Sequence, residues 1–255
     1  MAAFSLARRL RAGETVYSAW CGMASPLAAE AIAREGFGAV TLDMQHGLWD
    51  TAALVAGIGA LHHAGAAPLV RVPLNDFSIV SRALDFGAEA IIAPMINDAS
   101  DARAFVSAAK FPPLGERSWG PQRAMALQGQ TVATGYLRAA NDGTLTLAMI
   151  ETPAALNDVN DIAATDGIDA LFVGPYDLST SLSAGTAQDV TAPEVERAID
   201  EICAAAVKAG KIPGIYCSDA QRALAMAKRG FKFITIGSDL GLLRAGAAAM
   251  LKALK

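Results

Sequence analysis

The stretch AIAREGFGAVTLDM, residues 31–44, joins a helical pattern to a short apolar run, and it gives the first indication of the fold. Its first residues favour a helix, and Gly36 suits the left-handed conformation in which many helices end. Residues 39–42 are apolar almost continuously rather than at alternate positions, which is typical of a parallel strand covered on both faces. The stretch therefore predicts a helix followed by a buried parallel strand.

The same order of features recurs along the whole chain, in ALHHAGAAPLVRV (60–72), ALDFGAEAIIAPM (83–95), AAAVKAGKIPGIYC (204–217) and AMAKRGFKFITIG (225–237). Strands are predicted near 15–23, 39–45, 67–73, 90–96, 145–151, 170–176, 212–217 and 231–237. No linker or change in composition divides the chain, so residues 1–255 are expected to form one domain. About eight βα units in such a domain predict an α/β fold, the (β/α)8 TIM barrel. The alternative is an open doubly wound sheet, but no G-x-G-x-x-G follows an early strand.

Composition excludes several classes of protein. Hydrophobic residues make up 53% of the 255 residues and charged residues 18%, which favours a large core over disorder. The net charge is −4 without a basic stripe, so no nucleic-acid partner is expected. No apolar run approaches the roughly 20 residues that span a bilayer, and the first residues lack the pattern of a secretory signal. Three cysteines without a CxxC pair indicate reduced thiols, so a cytoplasmic location is expected.

Polar residues follow several predicted strands at the point where each strand ends. Asp43 and His46 follow the second strand, Arg71 ends the third, Glu151 ends the fifth, and Asp177 follows the sixth. Because the active sites of such barrels lie at the carboxyl ends of the strands, these side chains are expected to converge on one mouth.

The chemistry of these residue types suggests roles, each with a plainer alternative. Glu151 and Asp177 suit a hard divalent cation such as Mg²⁺ or Mn²⁺, or they are helix caps or surface acids. His46 can act as a base near neutrality, oriented by Asp43, or it is a loop histidine bonded to the backbone. Arg71 can stabilise an oxyanion or grip a carboxylate, or it forms a structural ion pair.

Other segments carry weaker signals. The segment GPYDLS offers backbone N–H groups around Gly174 and Tyr176 to an anionic substrate, although Gly-Pro also marks ordinary turns. Residues 111–133 form the longest connection between predicted strands and are predicted to be a lid or an oligomer contact. The remaining histidines and the lysines nearest the strands are predicted to lie at the end of the barrel away from the mouth; they are His62, His63, Lys211 and Lys232. No Schiff-base lysine is therefore expected.

Together, six motifs resemble the HpcH/HpaI family of metal-dependent (class II) pyruvate aldolases, in order from about residue 10 to 250. They are TLDMQHG, LVRVPLND, IIAPMI, FPPLGERSWGP, MIET and FVGPYDLS. The resemblance implies metal ligation by Glu151 and Asp177, with Mg²⁺ or Mn²⁺ and with Co²⁺ as a further candidate. It implies proton relay by His46 with Asp43, and an enolate contact from Arg71. Predicted substrate contacts are Arg71, Gly174, Pro175, Tyr176 and Gln45.

The resemblance also implies an assembly and shows two departures. Members of the family swap a C-terminal helix between subunits and form a homohexamer, a trimer of dimers. An acid contributed across that interface would be Asp85. Gln45 stands where some members carry Glu. Met149 stands where well-known members place a Gln that touches pyruvate, so the choice of donor is left open.

The expected activity is reversible aldol cleavage of 4-hydroxy-2-oxoacids to pyruvate, or an analogue such as hydroxypyruvate, and an aldehyde. One alternative is a citrate-lyase-like enzyme that acts on a CoA thioester, for which Arg117 and Arg123 are the candidate phosphate contacts. A second alternative is a barrel that binds a ligand without turnover.

Overall fold

A computed structural model describes residues 4–254 and shows a closed barrel of eight parallel strands. Each strand pairs with the next along the chain, and β1 pairs with β8 to close the barrel. The strands are β1 Val16–Cys21, β2 Ala39–Asp43, β3 Ala67–Arg71, β4 Ala90–Ala93, β5 Leu145–Ile150, β6 Ala170–Val173, β7 Ile212–Cys217 and β8 Phe233–Ile236. The predicted (β/α)8 TIM barrel is confirmed, and the open sheet is excluded.

All eight predicted strands are present; seven of them end before the predicted bound, and two of these, β4 and β6, end three residues early. Strand β4 ends at Ala93 because Pro94 has no N–H to donate, and Met95 has a left-handed backbone with φ 51. Strand β6 ends at Val173 because Pro175 opens the next helix.

The helices lie around the barrel, with a short one at its amino end. They are α1 Ser5–Arg11, α2 Pro26–Arg34, α3 Thr51–Ala64, α4 Ser78–Phe86, α5 Ala99–Ala109, α6 Gln122–Leu127, α7 Ala133–Gly143, α8 Pro153–Asn157, α9 Val159–Ala164, α10 Pro175–Leu182, α11 Pro193–Lys208, α12 Ala220–Lys228 and α13 Asp239–Ala253. Residues 4–254 contain no helix that is both long and apolar enough to cross a membrane.

Two layers of apolar side chains form the core. The larger layer packs between the strands and the surrounding helices. The smaller layer fills the barrel with residues such as Leu69, Ile92 and Phe172, and Leu6 and Leu10 of α1 join it. Helix α1 therefore closes the amino end of the barrel, which leaves the carboxyl ends of the strands as the open mouth.

Helix α13 differs from the others because it is hardly covered. Asp239 is its one buried residue, whereas Leu243, Met250 and Leu254 are 60%, 74% and 84% exposed. The predicted swap of this helix between subunits concerns a second copy of the chain and stays a prediction.

Candidate active site

A cavity of about 480 Å³ lies at the carboxyl ends of the strands, where the sequence predicts the site. Side chains or backbone from seven of the eight strand ends line it; only β4 contributes none. The lining residues are Trp20, Gly22, Met23, Asp43, His46, Gly47, Leu48, Arg71, Met149, Gly174, Pro175, Tyr176, Asp177, Tyr216, Ser238, Asp239 and Leu240.

A buried ion pair forms one wall of this cavity. Asp43 and Arg71 are register partners on neighbouring strands, and both side chains are buried. Arg71 donates from Nε to Asp43 Oδ1 at 2.8 Å and from Nη2 to Asp43 Oδ2 at 2.6 Å. Burial alone would raise the pKa of the Asp43 carboxyl, but the hydrogen bonds and charge of Arg71 hold it below its usual value. Arg71 is thus fixed by a structural ion pair and also lines the cavity.

Trp20, which the sequence did not single out, supports the same pair. The Arg71 guanidinium carbon lies 4.7 Å from the centroid of the indole ring, a distance typical of a cation–π contact. The indole N–H points to Asp43 Oδ2 at 3.3 Å. Trp20 therefore limits the directions in which both charged groups can turn.

Asp43 also organises the loop that carries His46. Its Oδ1 accepts hydrogen bonds from the backbone N–H groups of Gln45 at 3.0 Å and His46 at 3.3 Å. The predicted link between Asp43 and His46 thus runs through the His46 backbone, while the exposed imidazole lines the cavity. The Gln45 side chain lies outside the cavity lining.

Glu151 is buried at 1% exposure directly after β5. Its Oε1 accepts from the backbone N–H of Met95 at 2.9 Å, whereas Oε2 is buried without a hydrogen-bond partner. Burial, with a smaller contribution from the nearby charge of Asp177, raises the pKa of this carboxyl to about 7, although the Met95 hydrogen bond and the charge of Arg71 oppose the rise. A buried oxygen of this kind costs free energy unless a ligand satisfies it.

Asp177 completes the candidate metal site from the first turn of α10. Neither acid caps a helix, because Thr152 and Gly174 occupy the N-cap positions of α8 and α10. An unsatisfied carboxylate oxygen beside a second carboxylate fits a hard divalent cation. Among residues 4–254 no group of three or more His, Cys, Asp or Glu side chains is arranged to hold a metal. Water and substrate oxygens would therefore fill the other coordination positions.

Asp239 is a site residue that the sequence interpretation missed. It is 3% exposed and accepts hydrogen bonds from the backbone N–H groups of Gly22, Met23 and Leu240, at 3.1, 2.8 and 2.8 Å. It follows β8 in ITIGSD, so the strand-end rule that found Asp43 could have found it. Asp239 ties the loop after β1 to the start of α13.

Asp85 does not join the cavity of its own protomer. Its Oδ1 accepts from Arg117 Nη2 at 2.6 Å on the outside of the barrel.

Arg117 is buried against the Phe111 ring, and Arg123 donates to the backbone oxygens of Phe86 and Val55. The two arginines that a CoA-binding site would need are therefore used in packing and lie away from the mouth.

Residues 111–133 also lie away from the mouth. They include the short helix α6, and Trp119 packs against Phe111 and Tyr136 with ring centroids 5.6 and 6.3 Å apart. None of these residues lines the cavity, so the segment is not a lid in the described protomer, and its alternative role as an oligomer contact stays a prediction. No histidine other than His46 and no lysine lines the cavity within residues 4–254.

Comparison with known proteins gives the family. Residues 17–245 match the family described as HpcH/HpaI aldolase/citrate lyase. A hydroxypyruvate/pyruvate aldolase from Rhizorhabdus wittichii is 38% identical over 92% of this chain and 92% of its own length. A 4-hydroxy-2-oxo-heptane-1,7-dioate aldolase from Klebsiella pneumoniae is 34% identical over 94% of this chain and 90% of its own. A crystal structure of a family protein from Burkholderia cenocepacia superposes with a TM-score of 0.89 at 35% identity, covering 98% of this chain and 99% of that one. The chain belongs to the HpcH/HpaI aldolase/citrate lyase family.

Proposed function

We propose that this protein is a metal-dependent pyruvate aldolase. It cleaves 4-hydroxy-2-oxoacids reversibly to pyruvate, or an analogue such as hydroxypyruvate, and an aldehyde. Family membership and the names of its relatives support a carbon–carbon lyase of the aldolase type. The observation that carries the proposal is the unsatisfied Glu151 Oε2 beside Asp177, next to a cavity lined by a histidine and a buried arginine.

Glu151 and Asp177 would hold the metal ion, for which Mg²⁺ and Mn²⁺ are the first candidates and Co²⁺ a further one. A bound divalent cation supplies Lewis-acid chemistry at the donor carbonyl. Gly174, Pro175 and Tyr176 form the start of α10 at the mouth. The positive end of that helix favours the carboxylate of the donor.

Side chains of this protein carry out the remaining steps. In cleavage, His46 takes the proton of the substrate 4-hydroxyl, the bond between carbons 3 and 4 breaks, and carbon 4 leaves as the aldehyde. Carbon 3 gains a proton and becomes the methyl group of pyruvate. Arg71, held by Asp43, offsets the negative charge that develops on the donor oxygen. Met149 lines the cavity and stands where well-known members of the family place a Gln that touches pyruvate, and this replacement supports tolerance of pyruvate analogues.

The assembly and location are part of the proposal. A homohexamer, with α13 exchanged between subunits, would cover the exposed apolar residues of that helix and bring Asp85 to a neighbouring mouth. The buried free thiols Cys21, Cys203 and Cys217 support a reducing, cytoplasmic location. No nucleic-acid or membrane partner is proposed.

The experiment measures pyruvate release from a 4-hydroxy-2-oxoacid by protein treated with EDTA, before and after Mg²⁺ or Mn²⁺ is restored. Activity should vanish with the chelator and return with the metal. His46→Ala should lower kcat by about 10²- to 10⁴-fold and leave metal stoichiometry unchanged, whereas Glu151→Ala should abolish metal binding in calorimetry. His63→Ala and Glu201→Ala, which alter exposed residues outside the cavity, are the matched controls.

Two results would contradict the proposal. Undiminished turnover by the His46 variant would remove the proton relay. No pyruvate release with either metal would favour the CoA-thioester lyase, which an assay with a 3-hydroxyacyl-CoA thioester would detect, or a barrel that only binds.

A further inference from the structure

On the basis of the proposed function, we infer that Asp239 is a positioning residue for the proton relay, because it holds the loop after β1 and that loop holds the one that carries His46. The proposed function gives the proton transfer to His46, whose imidazole is exposed and stands on a loop. Asp43 supports this loop from β2. Asp239 supports it from the start of α13, through the loop after β1.

Asp239 is suited to hold a loop because its two carboxylate oxygens bond to two consecutive backbone N–H groups. Oδ1 accepts from Gly22 at 3.1 Å and Oδ2 from Met23 at 2.8 Å, and the Leu240 N–H adds a third bond at 2.8 Å. Hydrogen bonds to a carboxylate are roughly twice as strong as those between neutral groups, and at 3% exposure water competes little for these. Because both oxygens already accept from the backbone, Asp239 acts on the loop rather than on the substrate.

The loop after β1 is bonded in turn to the loop after β2, which carries His46. The Leu48 N–H donates to the Gly22 oxygen at 2.8 Å, so Gly22 donates to the carboxylate of α13 and accepts from the His46 loop. One residue further on, the Trp49 indole N–H donates to the Cys21 oxygen at 2.8 Å, and both of these residues are buried. A continuous series of hydrogen bonds therefore joins the start of α13 to the loop of the histidine.

Close packing at Gly47 keeps the two loops from moving independently. Gly47 directly follows His46, and a β-carbon on it would lie 2.2 Å from the Asp43 oxygen and 2.8 Å from the Gly22 oxygen. A shift of Gly22 away from Asp239 would release this contact beside the histidine. A displacement of about 1 Å in a reacting group can lower turnover about 10²-fold, so the restraint bears directly on proton transfer.

The test is a double-mutant cycle on the metal-loaded protein, with kcat measured for pyruvate release from a 4-hydroxy-2-oxoacid. Asp239→Asn keeps the size of the side chain but replaces one acceptor oxygen by a donor amide, so one of the two loop bonds is lost. We expect this change to lower kcat about 10- to 100-fold when His46 is present. In the His46→Ala background it should lower kcat less than about threefold, because the relay that it positions is already absent. Metal stoichiometry in calorimetry should be unchanged.

Asp219→Asn is the matched control. Asp219 also accepts from a backbone N–H at the start of a helix, that of Arg222 at 2.8 Å, but it is exposed and lies outside the cavity lining. It should leave kcat unchanged in both backgrounds. Gly47→Ala breaks the same series of contacts without altering Asp239 and should show the same dependence on His46. It replaces Asp239→Asn in the cycle if that variant loses the far-ultraviolet circular dichroism of the folded protein.

The cycle separates failure of this inference from failure of the proposed function. An equal fold loss of kcat in both backgrounds would mean that Asp239 acts on stability or on the substrate and not through His46, and it overturns the inference. An unchanged kcat in Asp239→Asn overturns it as well. Both results leave the aldolase intact when the wild-type protein releases pyruvate and His46→Ala is slower. No release by the wild-type protein, or undiminished turnover by His46→Ala, overturns the proposed function and this inference with it.

Discussion

At the scale of single residues, the backbone of Met95 fixes one carboxylate oxygen of Glu151 by a hydrogen bond. Met95 has φ 51, in the left-handed region that few residues other than glycine adopt. This conformation accompanies the N–H donation to Glu151 Oε1 at 2.9 Å. One carboxylate oxygen is thereby held in place while the other stays free for a ligand. Strained backbone at such a position is typical of functional sites.

Gly174 provides the space that the free oxygen needs. A β-carbon at this position would lie 2.3 Å from Glu151 Oε2 and 2.6 Å from the Met149 terminal methyl. The backbone φ of −97 is acceptable for alanine, so the effect of Gly174→Ala is steric. We expect Gly174→Ala to weaken metal binding by about 10- to 100-fold, measured by calorimetry, while the far-ultraviolet circular dichroism is retained.

The matched control is Gly135→Ala on α7, where a β-carbon meets nothing closer than 3.9 Å. There alanine should leave metal affinity unchanged and stabilise the helix by up to about 1 kcal/mol. Wild-type affinity in the Gly174 variant would mean that Glu151 Oε2 does not face the metal.

The placement of five polar residues at the strand ends could be predicted because the barrel topology alone brings strand ends together, and four of the five line the cavity, whereas Glu151 does not. What could not be predicted is which of them touch. The need of Arg71 for a partner followed from its position in a buried run, but its pairing with Asp43 depends on the register between β2 and β3. The contact of Asp85 could not be predicted at all, because nothing in its local sequence pattern indicates that its side chain turns outward to Arg117.

At the scale of elements, α1 is held on the amino end of the barrel by a buried acid. Glu89 precedes β4 and is fully buried, and its Oε2 accepts from the Leu6 N–H at 2.8 Å. The sequence did not predict this helix, because its seven residues are too few to show a clear apolar period. It did predict the strands, since short apolar runs recur eight times and five of them follow a glycine at the end of a helical stretch.

Burial raises the pKa of the Glu89 carboxyl, although the Leu6 N–H and the Ser5 hydroxyl oppose it. A carboxyl whose pKa is higher in the folded state contributes its full stability below the unfolded pKa and loses it as pH rises through the folded pKa. Glutamine does not titrate, so Glu89→Gln should become more stable relative to the wild type as pH rises above the ordinary glutamate range. Urea unfolding of both proteins at pH 4.5 and pH 8 measures this difference. If the difference in unfolding free energy between the two proteins does not change with pH, or changes in the opposite direction, the pKa of the Glu89 carboxyl is not raised in the folded state.

At the scale of the whole molecule, the exposed apolar surface of α13 has no explanation within a single protomer. Leu243, Ala247, Met250 and Leu254 recur at helical spacing and form one exposed apolar stripe. The same helix begins at Asp239, whose carboxylate holds Gly22 and Met23 at the mouth. A second copy packed on α13 would therefore contact a helix whose first residues line the active site.

Charges placed on this stripe test the proposed assembly. Each buried leucine or methionine contributes about 1.5–3 kcal/mol, so Leu243→Glu with Met250→Glu should dissociate the hexamer into smaller species in light scattering. Ala245→Glu adds the same charge to the opposite, exposed face and should keep the wild-type mass. If Asp85 of a neighbour completes each site, the dissociated variant should also lose most aldol cleavage while it keeps its metal affinity. Dissociation without loss of turnover would confine the site to one protomer, and an unchanged mass would show that α13 is not the contact between subunits.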